Sequence, residues 1–300
     1  MNIKLILPIL SLALPIVAQA QSFGSAAGYN VFVSGSYSSE NSDIEGKLAA
    51  GGNVNLTNYS VGANLTGGTQ NALVSGGVVN YHSGSVKGNI VSATAPNLSS
   101  FGYTNGGTSV VGASAVSSAI NFTQTAAYLQ SASTQWGALS SVGTVVSQYG
   151  GITFTGTSST LNVFNLTASE FAAGSYYNFN IPAGATTLFN ITGSTVNFHN
   201  TGYGIDPTKT VWNLVDATNV GVTSLKGSIL APKAAINGTY GAVDGQVFAS
   251  SFSGNTQINS YYFNGTGLPP VTNAVPEPAS MLALGLGGLA LVRRRRGAKK

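Results

Sequence analysis

Apolar and polar residues alternate in short runs along most of the chain, and glycine pairs separate many of these runs. Clear examples are residues 54–56, 153–155, 161–164 and 195–198. Alternation with a period of two is typical of β-strands, and Gly, Asn and Ser are common in the turns between them. Proline cannot donate a hydrogen bond to a neighbouring strand, so its near absence from these runs fits the same structure. The pattern therefore predicts many short strands.

One segment, residues 118–140, has the periodicity of a helix instead. Its apolar residues recur at intervals of three, four or seven, at Phe122, Ala126, Leu129, Trp136 and Leu139. That spacing puts them on one helical face, with Ser117 or Ser118 as the predicted N-cap and Gly143 beyond the end. The other face carries Ser, Thr and Gln without lysine, whereas membrane-surface helices are usually basic. We therefore expect this helix to pack along the side of the β-structure.

A weak internal repeat consists of a charged residue, glycine, any residue and an aliphatic residue. It occurs at 45–48, 87–90, 226–229 and 244–247, and three copies have alanine two residues later. The last two copies lie 18 residues apart, which suits one coil of a solenoid with glycine at the corner and the aliphatic residue inside. The first two copies lie 42 residues apart, so the repeat is not regular. We predict an all-β fold, an irregular right-handed parallel β-helix (β-solenoid) with one flanking α-helix at about 118–140.

Charged residues are scarce in the body of the chain. They make up 7% of the sequence, against about 25% in an ordinary soluble domain. Residues 21–273 hold five lysines, seven acids and no arginine, for a formal charge of −2. So few cations cannot neutralise a row of phosphates, which excludes nucleic acid as a partner. The absence of cysteine excludes disulfides and thiolate sites, and we predict neither a metal nor a cofactor.

The first twenty residues have the features of a secretory signal in the usual order. Lys4 precedes an apolar stretch over residues 5–17, and Ala18 and Ala20 form a small-residue cleavage site. The apolar stretch of 13 residues is shorter than the roughly 20 that a membrane-spanning helix needs. We predict a signal peptide over residues 1–20, cleaved after Ala20.

The C-terminal end contains a short motif, an apolar segment at 279–292 and an arginine cluster. The residues concerned are Val275, Pro276, Glu277 and Pro278, then Arg293, Arg294, Arg295 and Arg296. Fourteen helical residues span about 21 Å of a hydrocarbon core of about 30 Å, which favours a transient anchor over a permanent one. Arginines mark the cytoplasmic side, so the rest of the chain lies outside that membrane.

These three features in this order resemble the PEP-CTERM sorting signal. The resemblance implies a Gram-negative bacterium that produces exopolysaccharide. It also implies processing by an exosortase-type membrane enzyme, and a destination at the outer cell surface or in the extracellular matrix, after transient anchoring in the inner membrane.

Several blocks of the body resemble the choice-of-anchor A family. They are SDIEGKLAAGGNVNL at 42–56, the helical segment at 122–139, LKGSILAPKAAIN at 225–237 and VDGQVFASSF at 243–252. This resemblance implies an adhesive surface domain without enzymatic activity. The predicted organisation is a signal peptide at 1–20, a solenoid domain at 21–268, and a linker with the sorting segment at 269–300. Within that last part, the motif is at 275–278, the apolar helix at 279–292 and the basic tail at 293–300.

Few residues qualify for catalysis or metal binding. His82 and His199 belong to no nucleophile motif or metal-ligand pair, so we expect exposed strand or turn positions. Glu40, Asp43 and Glu45 form the one acidic cluster of the body. Asp43 and Glu45 share a strand face, and both weak Ca²⁺ binding and a simple polar edge remain open. Residues 153–157 resemble one step of the threonine ladders of ice-binding solenoids.

Tyrosines are the best candidates for ligand contact. Tyr176 and Tyr177, like Tyr261 and Tyr262, are adjacent, so their rings point to opposite sides of a strand and one of each pair is expected to be exposed. An exposed tyrosine stacks well on a sugar ring or a protein surface. We expect a non-catalytic adhesin or structural component whose partners are the exosortase-type enzyme and matrix polysaccharide or surface proteins. A carbohydrate-active β-helix enzyme and an ice-binding solenoid are the alternatives.

Overall fold

The computed structural model describes residues 22–199 and 202–272, so the predicted signal peptide and the sorting motif lie outside the described residues. The first half contains a short 3-10 helix, Gly24–Ala26, and nine strands. These are β1 Val31–Val33, β2 Tyr37–Ile44, β3 Leu48–Ala50, β4 Val54–Val61, β5 Asn71–Ser75, β6 Val79–Lys87, β7 Asn89–Ser92, β8 Asn97–Thr104 and β9 Ser109–Val111.

Two helices follow, α1 Ala113–Ala119 and α2 Phe122–Gly137. The second half contains thirteen strands and one more helix, α3 Ala168–Ala172. Its first strands are β10 Thr144–Gln148, β11 Gly151–Thr155, β12 Leu161–Thr167, β13 Tyr176–Asn180, β14 Thr186–Thr192, β15 Thr195–Phe198 and β16 Thr210–Leu214. The remainder are β17 Asn219–Val222, β18 Leu225–Lys226, β19 Ser228–Gly238, β20 Ala242–Asp244, β21 Val247–Gly254 and β22 Gln257–Asn259.

Strands of successive coils stack in parallel and form three faces. The helix face has ten strands in the order β12–β14–β16–β19–β21–β1–β3–β5–β7–β9. The polar face has eight, β15–β17–β19–β21–β2–β4–β6–β8. The narrow face is formed by β18, β20 and β22 and the second halves of β2, β4, β6 and β8. The predicted parallel β-solenoid is confirmed.

The coils do not stack in the order of the chain. The coils from β1 to β9 build outward in one direction, and the chain then returns along α1 and α2. The second half starts at the opposite end with β12 and builds back, until β21 pairs with both β1 and β2. The first and last coils are therefore neighbours in the middle of the solenoid.

The charged–glycine repeat occupies an equivalent position in the four coils that contain it, as predicted. Its aliphatic residues begin strands of the helix face and are buried in the interior: Leu48, Ile90, Ile229 and Val247. The glycines form the corner before them. Gly227 has a φ of +115°, and a side-chain carbon on Gly245 would lie 2.3 Å from the Gly227 carbonyl oxygen. Only glycine allows coils to approach so closely there.

The helix face is buried on both sides. Its interior row fills the solenoid, while its outward row packs against α1 and α2: Phe32, Ala49, Val74, Val91, Val163, Leu188, Val211, Leu230 and Phe248. Leu129 and Trp136 of the predicted helical stripe are fully buried in this contact, and Trp136 is 1% exposed. The expectation that the helix packs along the solenoid is therefore confirmed.

The predicted bounds of this helix were wrong at its start. The main helix α2 begins at Phe122, and the Asn121 side chain caps it by accepting a hydrogen bond of 3.0 Å from the Gln124 N–H. Ser117 and Ser118 lie inside the separate helix α1 and bond to the Ser114 carbonyl. Because the backbone of Ile120 is extended, α1 ends there and α2 begins as a separate helix. Neither α1 nor α3 was expected from the sequence.

A row of asparagines joins the helix face to α2. Asn165, Asn190 and Asn213 lie side by side on β12, β14 and β16. Their side-chain amides donate hydrogen bonds of 2.9 Å to the carbonyls of Leu139, Trp136 and Ser133 respectively. The row therefore fastens the C-terminal end of α2, and Leu139 just beyond it, to three neighbouring strands of the helix face.

The two ends of the solenoid differ. At the capped end, β10, β11 and β13 form a separate sheet, Val142 pairs with Val163 of β12, and Phe154 packs on Phe164 and Phe189. Residues 153–155 of the threonine run lie in this small sheet, away from the coils. At the open end, β8 and β9 each pair with a single strand of the described chain.

Candidate functional site

The polar face is a broad, regular array of short polar side chains. Its outward positions, in strand order from β15 to β8, are Thr195, Asn197, Asn219, Gly221, Ala235, Asn237, Ser251, Ser253, Ser38, Glu40, Asn55, Thr57, Asn80, His82, Asn97 and Ser99. Eight strands about 4.8 Å apart make a surface about 34 Å long. Within the described chain, Glu40 is the one carboxylate among these positions.

Hydrogen bonds between neighbouring coils fix parts of this array. The Asn97 amide donates to the Asn80 side-chain carbonyl, and the Asn80 amide donates to that of Asn55, both at 2.8 Å. In the next row, a ring nitrogen of His82 lies 2.8 Å from the Ser99 hydroxyl. Since these side chains hold each other, they lose little further rotamer freedom when a ligand binds.

At the bends where the strands leave the polar face, the backbone is in the left-handed conformation. Asn41, Asn58, Ser83 and Ser100 occupy the same corner in four stacked coils, with φ between 49° and 58°. Asn is one of the few residues besides Gly that adopt this conformation readily. Next to this corner, Ser38, Glu40, Asn55, Thr57 and Asn255 line a shallow depression of about 390 Å³, where the first and last coils meet.

Comparison with known proteins identifies the family of this domain. Residues 22–260 match the model of a family described as "Putative Ice-binding-like adhesive domain". The chain belongs to this family. Residues 274–296 match the PEP-CTERM protein-sorting motif, which confirms that resemblance. The motif implies export and processing by an exosortase-type membrane enzyme.

Two further comparisons complete the description of this ice-binding-like adhesive domain. No curated protein matches the chain. A crystal structure of an ice-binding protein from the Antarctic ascomycete Antarctomyces psychrotrophicus is similar at 13% identity. The match covers 81% of this chain and 98% of that chain, with a TM-score of 0.34.

The first tyrosine pair of the adhesive domain lies in β13, in the small sheet at the capped end and away from the polar face. Tyr176 is 46% exposed, whereas Tyr177 is buried, stacks on Phe171 at 4.8 Å between ring centres, and donates a 2.9 Å hydrogen bond to the Phe171 carbonyl. Burial raises the pKa of Tyr177. Of the two, only Tyr176 is accessible to a ligand, and its role stays a prediction.

The second pair lies beyond the last strand, so the expectation that it is part of a strand was wrong. The last strand ends at Asn259 because the Ser260 N–H donates a 2.8 Å hydrogen bond to the Glu45 carboxylate and the chain leaves the sheet. Tyr261 is 44% exposed. Tyr262 is half-buried, and burial raises its pKa while a hydrogen bond with the Lys47 backbone opposes that shift.

The acidic cluster is divided between two faces. Glu40 lies on the polar face, while Asp43 is past the corner on the narrow face and Glu45 is engaged by Ser260. Burial raises the pKa of Asp43, a hydrogen bond with Gln257 lowers it, and the Glu45 charge raises it. Among the described residues no three His, Asp or Glu side chains come together as metal ligands.

The two histidines lie far apart. His82 is exposed on β6, toward the open end, and His199 is exposed just after β15, toward the capped end. They therefore form no joint site. Within residues 22–199 and 202–272 no helix is long and apolar enough to cross a membrane, and the predicted apolar helix at 279–292 lies outside that part.

The polar face itself was missed by the sequence reasoning. Alternating runs such as residues 54–57 identify Asn55 and Thr57 as outward positions. The sequence does not reveal that eight such runs lie beside each other, because their order in space differs from their order in the chain. Aligning the runs at the charged–glycine repeat would have given a partial signal.

Proposed function

We propose that the protein is an exported, non-catalytic adhesin that binds a neutral, hydroxyl-rich polysaccharide of the extracellular matrix through its polar face. The observation that carries this proposal is the array of amide and hydroxyl side chains on eight stacked strands, part of which is fixed by the Asn97–Asn80–Asn55 ladder. Amides and hydroxyls both donate and accept hydrogen bonds, as sugar hydroxyls do.

The scarcity of charged side chains on the polar face favours a neutral ligand. Glu40 is the one carboxylate among the described outward positions, and no lysine is among them. An acidic polymer would find no cation to pair with on this face, and residues 21–273 carry a formal charge of −2. Binding would then depend on many weak hydrogen bonds and change little with salt, since screening acts on charged contacts.

The path of the chain supports an outward-facing polar surface. The last described residue, Thr272, is held on α2, where its hydroxyl and N–H both lie 2.9 Å from the Gln135 side-chain oxygen. The described chain therefore ends on the helix side of the solenoid. While an apolar helix at 279–292 anchors the protein transiently, and after exosortase-type processing, the polar face stays free to reach the matrix.

The test is binding of the exported protein to polysaccharide isolated from the host matrix. A Thr57→Leu variant replaces a hydroxyl of the polar face by a larger apolar side chain at an exposed position beside the depression. We expect the affinity for the polysaccharide to fall at least about tenfold, because a few hydrogen-bonded contacts are lost. A Thr66→Leu variant makes the same change at an exposed loop position outside this face and should bind like the unmodified protein.

The same incubation distinguishes the alternatives. Unchanged chain length of the polysaccharide is expected, and new reducing ends would identify the carbohydrate-active enzyme instead. If both variants bind the polysaccharide equally well, the polar face is not the binding surface. Thermal hysteresis without polysaccharide binding would favour the ice-binding role.

A further inference from the structure

The open end of the solenoid exposes residues whose counterparts in the neighbouring coil are buried. Val110 and Val111 of β9 are 37% and 50% exposed, and Leu98, Phe101 and Tyr103 of β8 are only partly buried. One coil further in, the counterparts of Val110, Val111, Leu98 and Tyr103 are all at most 1% exposed: Val91, Ser92, Tyr81 and Val86. The apolar interior of the solenoid thus reaches the surface at this end.

The backbone at this end is available for pairing as well. The structure pairs β8 with β6 and β9 with β7, and no other described strand contacts their free edges. The asparagine ladder also stops here, since the Asn97 side-chain carbonyl accepts no hydrogen bond from a described residue. Solenoid ends of this kind usually need a cap for solubility.

Nothing in the sequence of this coil opposes pairing with another strand. Residues 97–112 contain no charged residue and no proline, which are the usual means by which exposed edges are protected. The opposite end is different, because β10, β11, β13 and α3 cover it. The two ends therefore present different surfaces.

We propose that the open end is the interface of a two-fold symmetric dimer, in which β8 of one copy pairs antiparallel with β8 of a second copy. A surface that contacts its own copy across a two-fold axis closes after two subunits. Because this pairing uses the open end of both copies, the product is a closed dimer and not a fibre.

The position of the chain end favours a second copy over the sorting segment as the occupant. Thr272 bonds to Gln135 of α2, opposite β14 and β16, which is about seven strand spacings or about 34 Å from β9. In the form processed near 275–278, at most six residues follow Thr272, and fully extended they span only about 20 Å. Residues 97–112 number 16, somewhat fewer than the roughly 20–30 residues that each partner contributes to a standard interface. We expect a reversible, concentration-dependent dimer.

The experiment is sedimentation equilibrium of the exported protein, as its host leaves it, over a wide concentration range. The unmodified protein should show twice the monomer mass at high concentration and the monomer mass on dilution. Val111→Lys places a charge at the centre of the open end, where the side chain of a monomer still reaches water. Ser99→Lys places one on the free edge strand, and both variants should stay monomeric throughout.

A Thr195→Lys variant is the matched control, since Thr195 is equally exposed on the polar face but lies toward the capped end. It should dimerise as the unmodified protein does. Thermal unfolding followed by circular dichroism verifies that each variant folds. One folded variant of the two at the open end is enough for the test. A monomer at all concentrations, open-ended larger assemblies, or a dimer that survives in a folded Val111→Lys or Ser99→Lys variant would overturn the proposal.

Discussion

Asparagine occupies two parallel rows in this protein, and burial separates their roles. The row on the polar face, Asn55, Asn80 and Asn97, is accessible to water, so its amides have other partners when a neighbour is removed. The row on the helix face is covered by α2, and Asn190 and Asn213 are at most 2% exposed. There, a lost partner leaves a buried polar group without a hydrogen bond, which is costly.

Asn213→Ala should therefore destabilise the fold strongly. Asn213 donates to the Ser133 carbonyl at 2.9 Å and to the Asn190 side chain at 2.8 Å, and it accepts from the Ser133 hydroxyl at 2.6 Å. We expect the free energy of unfolding to fall by about 2–4 kcal/mol in urea denaturation. Asn55→Ala, in the exposed row, should change it by less than about 0.5 kcal/mol. Equal losses in the two variants would contradict the role given to burial.

At the scale of the element, α2 is held by its contacts and not by its own helical preference. It contains no charged residue, so ion pairs along the helix contribute nothing to it. Its stability comes from the buried stripe against the helix face, from the Asn121 cap and from the asparagine row at its last turn. The final segment, 260–272, also packs on it, and the Trp136 indole N–H donates a 3.0 Å hydrogen bond to the Pro269 carbonyl.

Trp136→Ala tests this account of the helix. Removing a ring that is 1% exposed should lower the free energy of unfolding by about 3–5 kcal/mol, because it leaves a cavity between α2 and the sheet. Thr134→Ala on the exposed side of the same helix is the control, with an expected change below about 0.5 kcal/mol. Denaturant unfolding followed by circular dichroism measures both. A small loss for Trp136→Ala would mean that the helix is not fixed to the solenoid by this ring.

At the scale of the whole molecule, charge changes sharply with processing. The complete chain has a formal charge of +4 and a pI of about 9.2, and half of its twelve Lys and Arg residues lie in the last eight positions. A surface form from Gln21 to Pro278 keeps five lysines and eight acids, for a formal charge of −3. Such a protein has few cations with which to adsorb to anionic lipid or acidic polysaccharide.

We therefore predict that the surface form is acidic and lacks Arg293–Lys300, with cleavage near the motif at 275–278. Intact-mass analysis and isoelectric focusing of the cell-surface fraction measure this directly. Washing with moderate salt should not release the protein, since screening weakens charge-based contacts alone. A basic focusing point with the arginines still present would identify the segment as a retained anchor.

The sequence by itself determined the local features of this protein. Alternation defined the strands and their inward sides, the charged–glycine repeat defined one corner of the coils, and the spacing of Leu129 and Trp136 defined the helix. These features depend on residues within a few positions of each other, so a one-dimensional pattern contains them. The sorting motif at the C-terminal end is local in the same sense, and its resemblance was confirmed.

Only the tertiary structure decided which coils are neighbours. Val31 pairs with Val247, and the buried asparagine row joins strands whose partners are 23 and 25 residues apart. Parallel strands are held by backbone groups that every residue possesses, so the sequence of a strand specifies which side faces inward but not which strand lies beside it. For that reason the polar face and the difference between the two ends became visible only once the coils were stacked.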